Sequence, residues 1–244
     1  MKDTPLRDRL IELYRESIAE RYEWKAIKDD ARLPKALDQR QADDLRRFFL
    51  DNLYAAPAQR ARLDAAFSQL ESYVRQPQKI WGILGNLAGA LLQFGMHFPA
   101  ALKAGMATLE THAAARKLEG ALLDAAQKKK LTAEMTKEEF TGCLATLDQA
   151  VTERFIADLS QLFMVISDAV MLDKTLHILN NVLDRMKSKP DMYGTEDTSA
   201  IQLGIDVLTQ GKELLAPFDF ETKKGLIAFI QYHELAFLAS LKKN

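Results

Sequence analysis

The clearest row of metal-ligating side chains in this 244-residue sequence falls at helical spacing. Asp173, His177, Asn180 and Asp184 are separated by four, three and four residues, which places them on one face of a helix. Carboxylates and imidazoles bind divalent transition metals, so this row could contribute two or three ligands. The opposite face carries an apolar row: Leu172, Leu176, Leu179, Leu183 and Met186. Because this arrangement is typical of an amphipathic surface helix, we expect a solvated face and no metal site.

Sequence signatures of cofactor chemistry are absent from the chain. It contains no His-Glu-x-x-His, Cys-x-x-Cys or Glu-x-x-His spacing and no EF-hand loop. It also lacks a Gly-x-Ser-x-Gly turn, a Walker loop and a dinucleotide-binding loop. We therefore expect no cofactor, and we predict no catalytic residue.

A second polar group lies in the longest uncharged stretch, the 23 residues between Lys79 and Lys103. One helical face of this stretch consists of small or neutral polar residues: Gly82, Asn86, Gly89, Gln93 and His97. A face without charges is usually covered, and covered polar groups need hydrogen-bond partners in the backbone, in buried water or in a ligand. We therefore predict Asn86, Gln93 and His97 as ligand-binding residues, with a second helix of the same chain as the alternative cover.

The same stretch is long enough to cross a bilayer, which takes about 20 apolar residues. Its amides, its imidazole and its four glycines argue against a membrane span. Apolar residues spaced 4-3-4-3-4 form one continuous stripe: Ile80, Leu84, Leu87, Leu91, Phe94 and Phe98. We predict a central buried helix over about residues 80–98 and no integral membrane protein.

Two further residues have reactive side chains. His233 falls on the predicted inward row of the last helix, beside Glu234, where we expect a buried histidine whose ring nitrogen is hydrogen-bonded. A general base at this position would need a partner that the sequence does not identify. Cys143 lies between Phe140 and Leu144, so we expect a buried, unreactive thiol.

Apolar residues spaced three and four apart, with few β signals, predict an all-α fold. We expect about eight or nine helices in a multi-helix array around the central helix. Thr4 and Pro5 predict the first helix start, whereas Thr136 with Glu139 and Ser199 with Gln202 have capping-box spacing. Asp219 predicts the start of the last helix, and a break is expected near Ser167.

Bulk composition limits the function classes. Lys and Arg number 33 and Asp and Glu number 34, so no basic field favours nucleic acid as a partner. The single cysteine indicates a reducing compartment, and the mixed-charge N-terminus does not have the pattern of a secretory signal. We therefore predict a cytoplasmic location. We expect one helical domain over 1–244, with the 187–198 loop as the alternative boundary.

These observations favour a non-enzymatic intracellular binding or interaction protein, with a helix-lined groove or an oligomer interface near residues 82–97. Its partner would be another protein, a second copy of the chain or a small apolar ligand. One alternative is a peripheral membrane protein that binds a lipid or an amphipathic ligand through the same region. The other is an enzyme whose site is built between helices from scattered histidines and carboxylates.

Overall fold

The computed structural model describes residues 4–33, 35, 37–53, 61, 64–65, 68 and 98–243. Within these ranges the chain is all-α, with nine helices and no strand, as the sequence predicts. The helices are α1 (Thr4–Arg21), α2 (Trp24–Ile27), α3 (Gln39–Leu53), α4 (Phe98–Lys128), α5 (Lys137–Leu144), α6 (Gln149–Ser167), α7 (Ala169–Lys187), α8 (Thr195–Leu215) and α9 (Phe220–Leu241). The predicted central helix falls almost wholly on residues outside the described ranges and stays a prediction.

Backbone contacts group the chain into two compact units. The first comprises residues 1–54, 110–164 and 216–244, and the second comprises residues 55–109 and 165–215. These boundaries fall elsewhere than the 187–198 loop. The expectation of a single domain stays a prediction.

In the first unit, α1 packs against α3 and α5, α2 packs against α3, and α5 packs against α9. Aromatic rings fill much of this core. The ring of Phe163 on α6 stacks on Phe49 at 5.1 Å between centroids and meets the edge of Phe48 at 6.2 Å. Tyr22 stacks on the Phe49 ring at 5.6 Å. The buried Phe48 and Phe49 of α3 therefore lie at the centre of this unit.

The first helix ends earlier than the sequence suggests. The sequence predicts that the first helix fades over residues 28–34, but α1 ends at Arg21, and only the four-residue α2 follows before the chain turns. The break turns Tyr22 into the core, where only 5% of the residue is exposed. Burial of this aromatic ring offsets the loss of helical hydrogen bonds at the break.

Local capping rules place α5 and α7 correctly. The Thr136 hydroxyl accepts a hydrogen bond from the Glu139 N–H, and the Glu139 carboxylate accepts one from the Thr136 N–H, which completes the predicted capping box. The predicted break near Ser167 is also present, because Asp168 caps α7 through its hydrogen bond with the Met171 N–H. Asp219 caps α9 in the same way, through the Thr222 N–H.

The second unit contains the packed pair α7 and α8. Here the predicted capping box at Ser199 and Gln202 is wrong, because α8 already begins at Thr195. The Ser199 hydroxyl donates to the Thr195 carbonyl within the helix, and the Gln202 amide donates to Asp206. The loop before α8 is correspondingly shorter than predicted.

Among the described helices, none is by itself long and apolar enough to cross a bilayer. Only α6 and α7 taken together, as a pair bent at Asp168, reach the length and composition that a span requires.

Candidate functional site

A buried ion pair joins the C-terminal end of α1 to the middle of α9. The Nη2 atom of Arg21 donates to both carboxylate oxygens of Glu234, at 3.0 Å and 2.9 Å. The two side chains are only 10% and 6% exposed. A charge with so little contact with water persists only when it is paired, so this contact fixes the rotation of α9 about its own axis.

Neighbouring side chains extend this buried cluster, in which the Nε atom of Arg21 has no hydrogen-bond partner among the described residues. The Tyr22 hydroxyl donates to Oε1 of Glu234 at 2.9 Å, and Nη1 of Arg21 donates to the Ser17 hydroxyl at 2.6 Å. The guanidinium carbon lies 4.0 Å from the centroid of the Phe237 ring. Burial, and then the charge of Glu234, raises the pKa of Tyr22 well above its usual value, so its hydroxyl stays protonated and donates. The cluster therefore has the properties of a structural anchor.

A second polar layer lies closer to the surface on the same helix. The Nε2 atom of His233 lies 2.8 Å from Oδ2 of Asp30, while the Arg32 N–H donates to Oδ1 of the same carboxylate at 2.8 Å. Burial raises the pKa of Asp30, but the Arg32 N–H and the His233 ring together lower it more. The Arg32 guanidinium carbon lies 3.4 Å from the centroid of the Tyr232 ring. These contacts fasten the loop after α2 onto α9.

The Asp30–His233 pair is one half of the arrangement that activates a nucleophile. Within the described chain, however, the His233 ring hydrogen-bonds to Asp30 alone, and no hydroxyl or thiol is held against it. The expected hydrogen bond to a ring nitrogen is confirmed. The expected burial is only partial, because the His233 side chain is 23% exposed while the neighbouring Glu234 is buried.

A small apolar pocket lies beside Tyr22 in the first unit. The space that it leaves for the centre of a water-sized sphere is about 20 Å³, which is enough for one or two water molecules. Side chains from α3, α9 and the loop between α2 and α3 line it, among them Leu33, Leu45, Phe49 and Phe229. The pocket is therefore a small gap in the packing of the core, and it is not a cavity of ligand size.

The outward face of α9 is unusual for a helix exposed to solvent. From Gly225 to Leu241 the only formally charged residue is Glu234, which is buried. The face follows the spacing 3-4-3-4 and consists of small or apolar residues, which we call the outer stripe: Gly225, Ala228, Tyr232, Leu235 and Ala239. All are exposed except the half-buried Gly225, and Tyr232 and Leu235 each leave 45% of their surface open.

Helices that face only water carry charges on their outer side, and single exposed apolar residues need no explanation. An uninterrupted row at alternating three- and four-residue spacing is different, because this is the pattern by which one helix packs along another. The outer stripe therefore has the chemistry of a helix-docking surface. Glu221 and Lys243, both exposed, lie at its two ends.

The structure places the other predicted residues as follows. Asp173, His177, Asn180 and Asp184 are all exposed on α7, and Asp173 forms an ion pair with Lys212 of α8, so this row is a solvated face. Among the described residues, no cluster of histidine, cysteine and carboxylate groups is suited to a metal. Cys143 is fully buried, and burial raises the pKa of its thiol, which disfavours the nucleophilic thiolate.

Asn86, Gln93 and His97 all lie outside the described residues. Their ligand-binding role, and the groove or interface near residues 82–97, stay predictions.

Sequence reasoning missed Arg21, Glu234 and the outer stripe. The stripe had a readable signal, because the helix after Lys224 lacks charges on every face except at Glu234. The ion pair had none, since its two residues are 213 positions apart in the chain.

Comparison with known proteins gives no relative from which to infer a function. No protein-family model matches the chain, and neither a curated protein nor a solved structure does.

Proposed function

We propose that this chain is a non-enzymatic helical interaction protein that binds a helix of a protein partner through the outer stripe of α9. The observation that carries the proposal is the uncharged, exposed row centred on Tyr232 and Leu235. Alternating three- and four-residue spacing gives a partner helix a continuous seam, and small residues at most of its positions allow close approach.

The anchoring of α9 also supports an interaction role. The Arg21–Glu234 pair holds the helix from its inner side, and Arg32 holds the Tyr232 ring from the loop side. A surface whose aromatic residue is already held in place loses little conformational entropy on binding. We place this function in the cytoplasm, which the single, buried cysteine of the chain supports.

Site-specific photo-crosslinking in the cells that produce the protein tests this proposal. A photoreactive amino acid replaces Leu235 in the outer stripe, and in a matched control it replaces Met192, an apolar residue of the second unit with 66% exposure. We expect a covalent adduct with a protein from position 235 and none from position 192. Equal adducts from both positions, or none from position 235, would overturn the proposal.

Lipid or amphipathic-ligand binding remains the alternative proposal. The described pocket beside Tyr22 lends it no support, because about 20 Å³ cannot hold an acyl chain. Flotation with vesicles of neutral and of anionic lipid separates the two proposals. Co-flotation that survives a Leu235→Glu substitution would favour a membrane role independent of the outer stripe.

A further inference from the structure

We infer that the partner of the outer stripe is a second copy of this chain, bound antiparallel about a two-fold axis at Tyr232. The inference rests on the proposed function and adds the identity of the occupant. It follows from the order of side chains along α9. When a second α9 runs in the opposite direction, this order brings Ala228 near Leu235 and Glu221 near Lys243. Symmetric dimers require such self-complementarity, because the same patch serves both partners.

The register follows from the sequence spacing. With the two Tyr232 residues opposed on the axis, Ala239 of one copy meets Gly225 of the other, and Leu235 lies about 1.5 Å, one residue's rise, from the level of Ala228. On each side of the central Tyr232 pair, Leu235 therefore faces a small residue, and the two outermost positions are both small, which allows the two helices to approach closely. The residues of the outer stripe contribute no charge to the seam, and the Arg32 guanidinium of each copy lies against its own Tyr232 ring beside the axis.

The ends of α9 add charge complementarity in the same register. Glu221 lies 11 residues before Tyr232 and Lys243 lies 11 residues after it, and both project close to the direction of the stripe at 100° per residue. In the antiparallel pair, Glu221 of each copy meets Lys243 of the other, which gives two opposite-charge pairs. A parallel pair would instead bring Glu221 against Glu221 and Lys243 against Lys243.

The backbone keeps a helical course up to Lys243, so that this residue can take part in the proposed contact. Helix α9 runs to Leu241, Lys242 keeps helical backbone angles, and the Lys243 N–H donates to the Ser240 carbonyl at 3.3 Å. The contact would be about 33 Å long and one helix wide. An interface of this size lies at the weak end of the specific range, so we expect a dissociation constant on the order of micromolar.

Sedimentation velocity of the full-length protein over a concentration series measures the dimer. We expect Leu235→Glu to weaken dimerisation at least tenfold, because it places a carboxylate against Ala228 in the closed seam. The matched control Met192→Glu introduces the same charge at an exposed apolar residue in the second unit and should leave the dimer unchanged. Thermal melting of each variant confirms that it remains folded.

Charge reversal tests the register. Glu221→Lys alone and Lys243→Glu alone each create two like-charge contacts, and we expect each to weaken its homodimer about fivefold at low salt. An equimolar mixture should restore binding, because the heterodimer contains two opposite-charge pairs. Failure of the mixture to restore binding would overturn the antiparallel register.

A protein that stays monomeric at 100 μM, a concentration about a hundredfold above the expected dissociation constant, would overturn the dimer itself. The proposed function would survive this result if position 235 still crosslinks to a different protein. It would fail together with the dimer if position 235 crosslinks to nothing.

Discussion

Arg21 and Glu234 form a buried ion pair in which one guanidinium nitrogen donates to both carboxylate oxygens, and this pair joins α1 to α9 across 213 positions of sequence. It lies on the inner side of the helix whose outer side is the outer stripe. The buried charge pair and the uncharged exposed face are therefore two sides of one element. The ion pair between Arg21 and Glu234 therefore fixes the rotation of α9 that leaves the outer stripe exposed.

The first prediction concerns the free energy of unfolding. Glu234→Ala leaves the Arg21 guanidinium buried without its partner, so we expect a loss of about 3–5 kcal/mol. Arg21→Met should cost a similar amount, because it leaves the carboxylate unpaired. The double variant Arg21→Met/Glu234→Leu should be more stable than either single variant, since no buried charge remains. Urea unfolding followed by circular dichroism measures all three, and losses that simply add would contradict the coupling.

A second prediction concerns the capping box of α5. Thr136→Ala removes the acceptor for the Glu139 N–H, so we expect a loss of about 1 kcal/mol in the free energy of unfolding. Thr141→Ala is the matched control in the same helix, because its exposed hydroxyl only donates to the Lys137 carbonyl. That variant should change stability by less than about 0.5 kcal/mol. Equal losses at the two positions would mean that the cap stabilises the protein no more than an ordinary exposed hydroxyl does.

The capping box shows which parts of this fold could be predicted from the sequence. Thr136 and Glu139 interact within a single turn, so their spacing alone identified the start of α5. Ser199 and Gln202 have the same spacing but lie inside α8, because the helix begins a turn earlier at Thr195. Spacing predicts that a cap can form, whereas the neighbouring residues decide where the helix starts.

The error on α9 has a different cause. Periodicity placed His233 on the inward row but made no prediction for the burial of Glu234, a residue type that is almost never fully buried unless paired. In the structure Glu234 is the more deeply buried of the two, since Arg21 and the Tyr22 hydroxyl compensate its carboxylate. Residues adjacent in sequence differ by 100° around a helix, so only a distant partner could decide between them.

A third prediction concerns pH. His112 on α4 is 8% exposed, and burial, with a further contribution from the nearby Arg116 charge, lowers its pKa from 6.5 to about 4. The unfolded chain therefore binds this proton more readily than the folded protein. The stabilisation is complete above about pH 6.5 and is lost as the pH falls towards 4, by about 3 kcal/mol.

Substitution of the same histidine provides the test. In His112→Gln the free energy of unfolding should depend less on pH between pH 6.5 and pH 4.5 than in the unmodified protein. Urea unfolding at half-unit pH intervals measures both curves. Parallel curves would show that His112 titrates alike in the folded and unfolded states.

The last prediction compares two glycines of α8 with opposite surroundings. A Cβ atom at Gly211 would lie 2.7 Å from Cδ1 and 2.8 Å from Cγ2 of Ile166, whereas a Cβ atom at Gly204 would meet no atom within 4 Å. Gly211→Ala must displace a branched side chain, so we expect a loss of about 1–3 kcal/mol in the free energy of unfolding. Gly204→Ala should instead stabilise the protein by about 0.5–1 kcal/mol, because alanine restricts the unfolded chain and favours the helix. The two substitutions make the same chemical change in one helix, so helix propensity cancels between them. The difference in their unfolding midpoints therefore measures how tightly α8 approaches Ile166, and two equal stabilisations would show that this contact is loose.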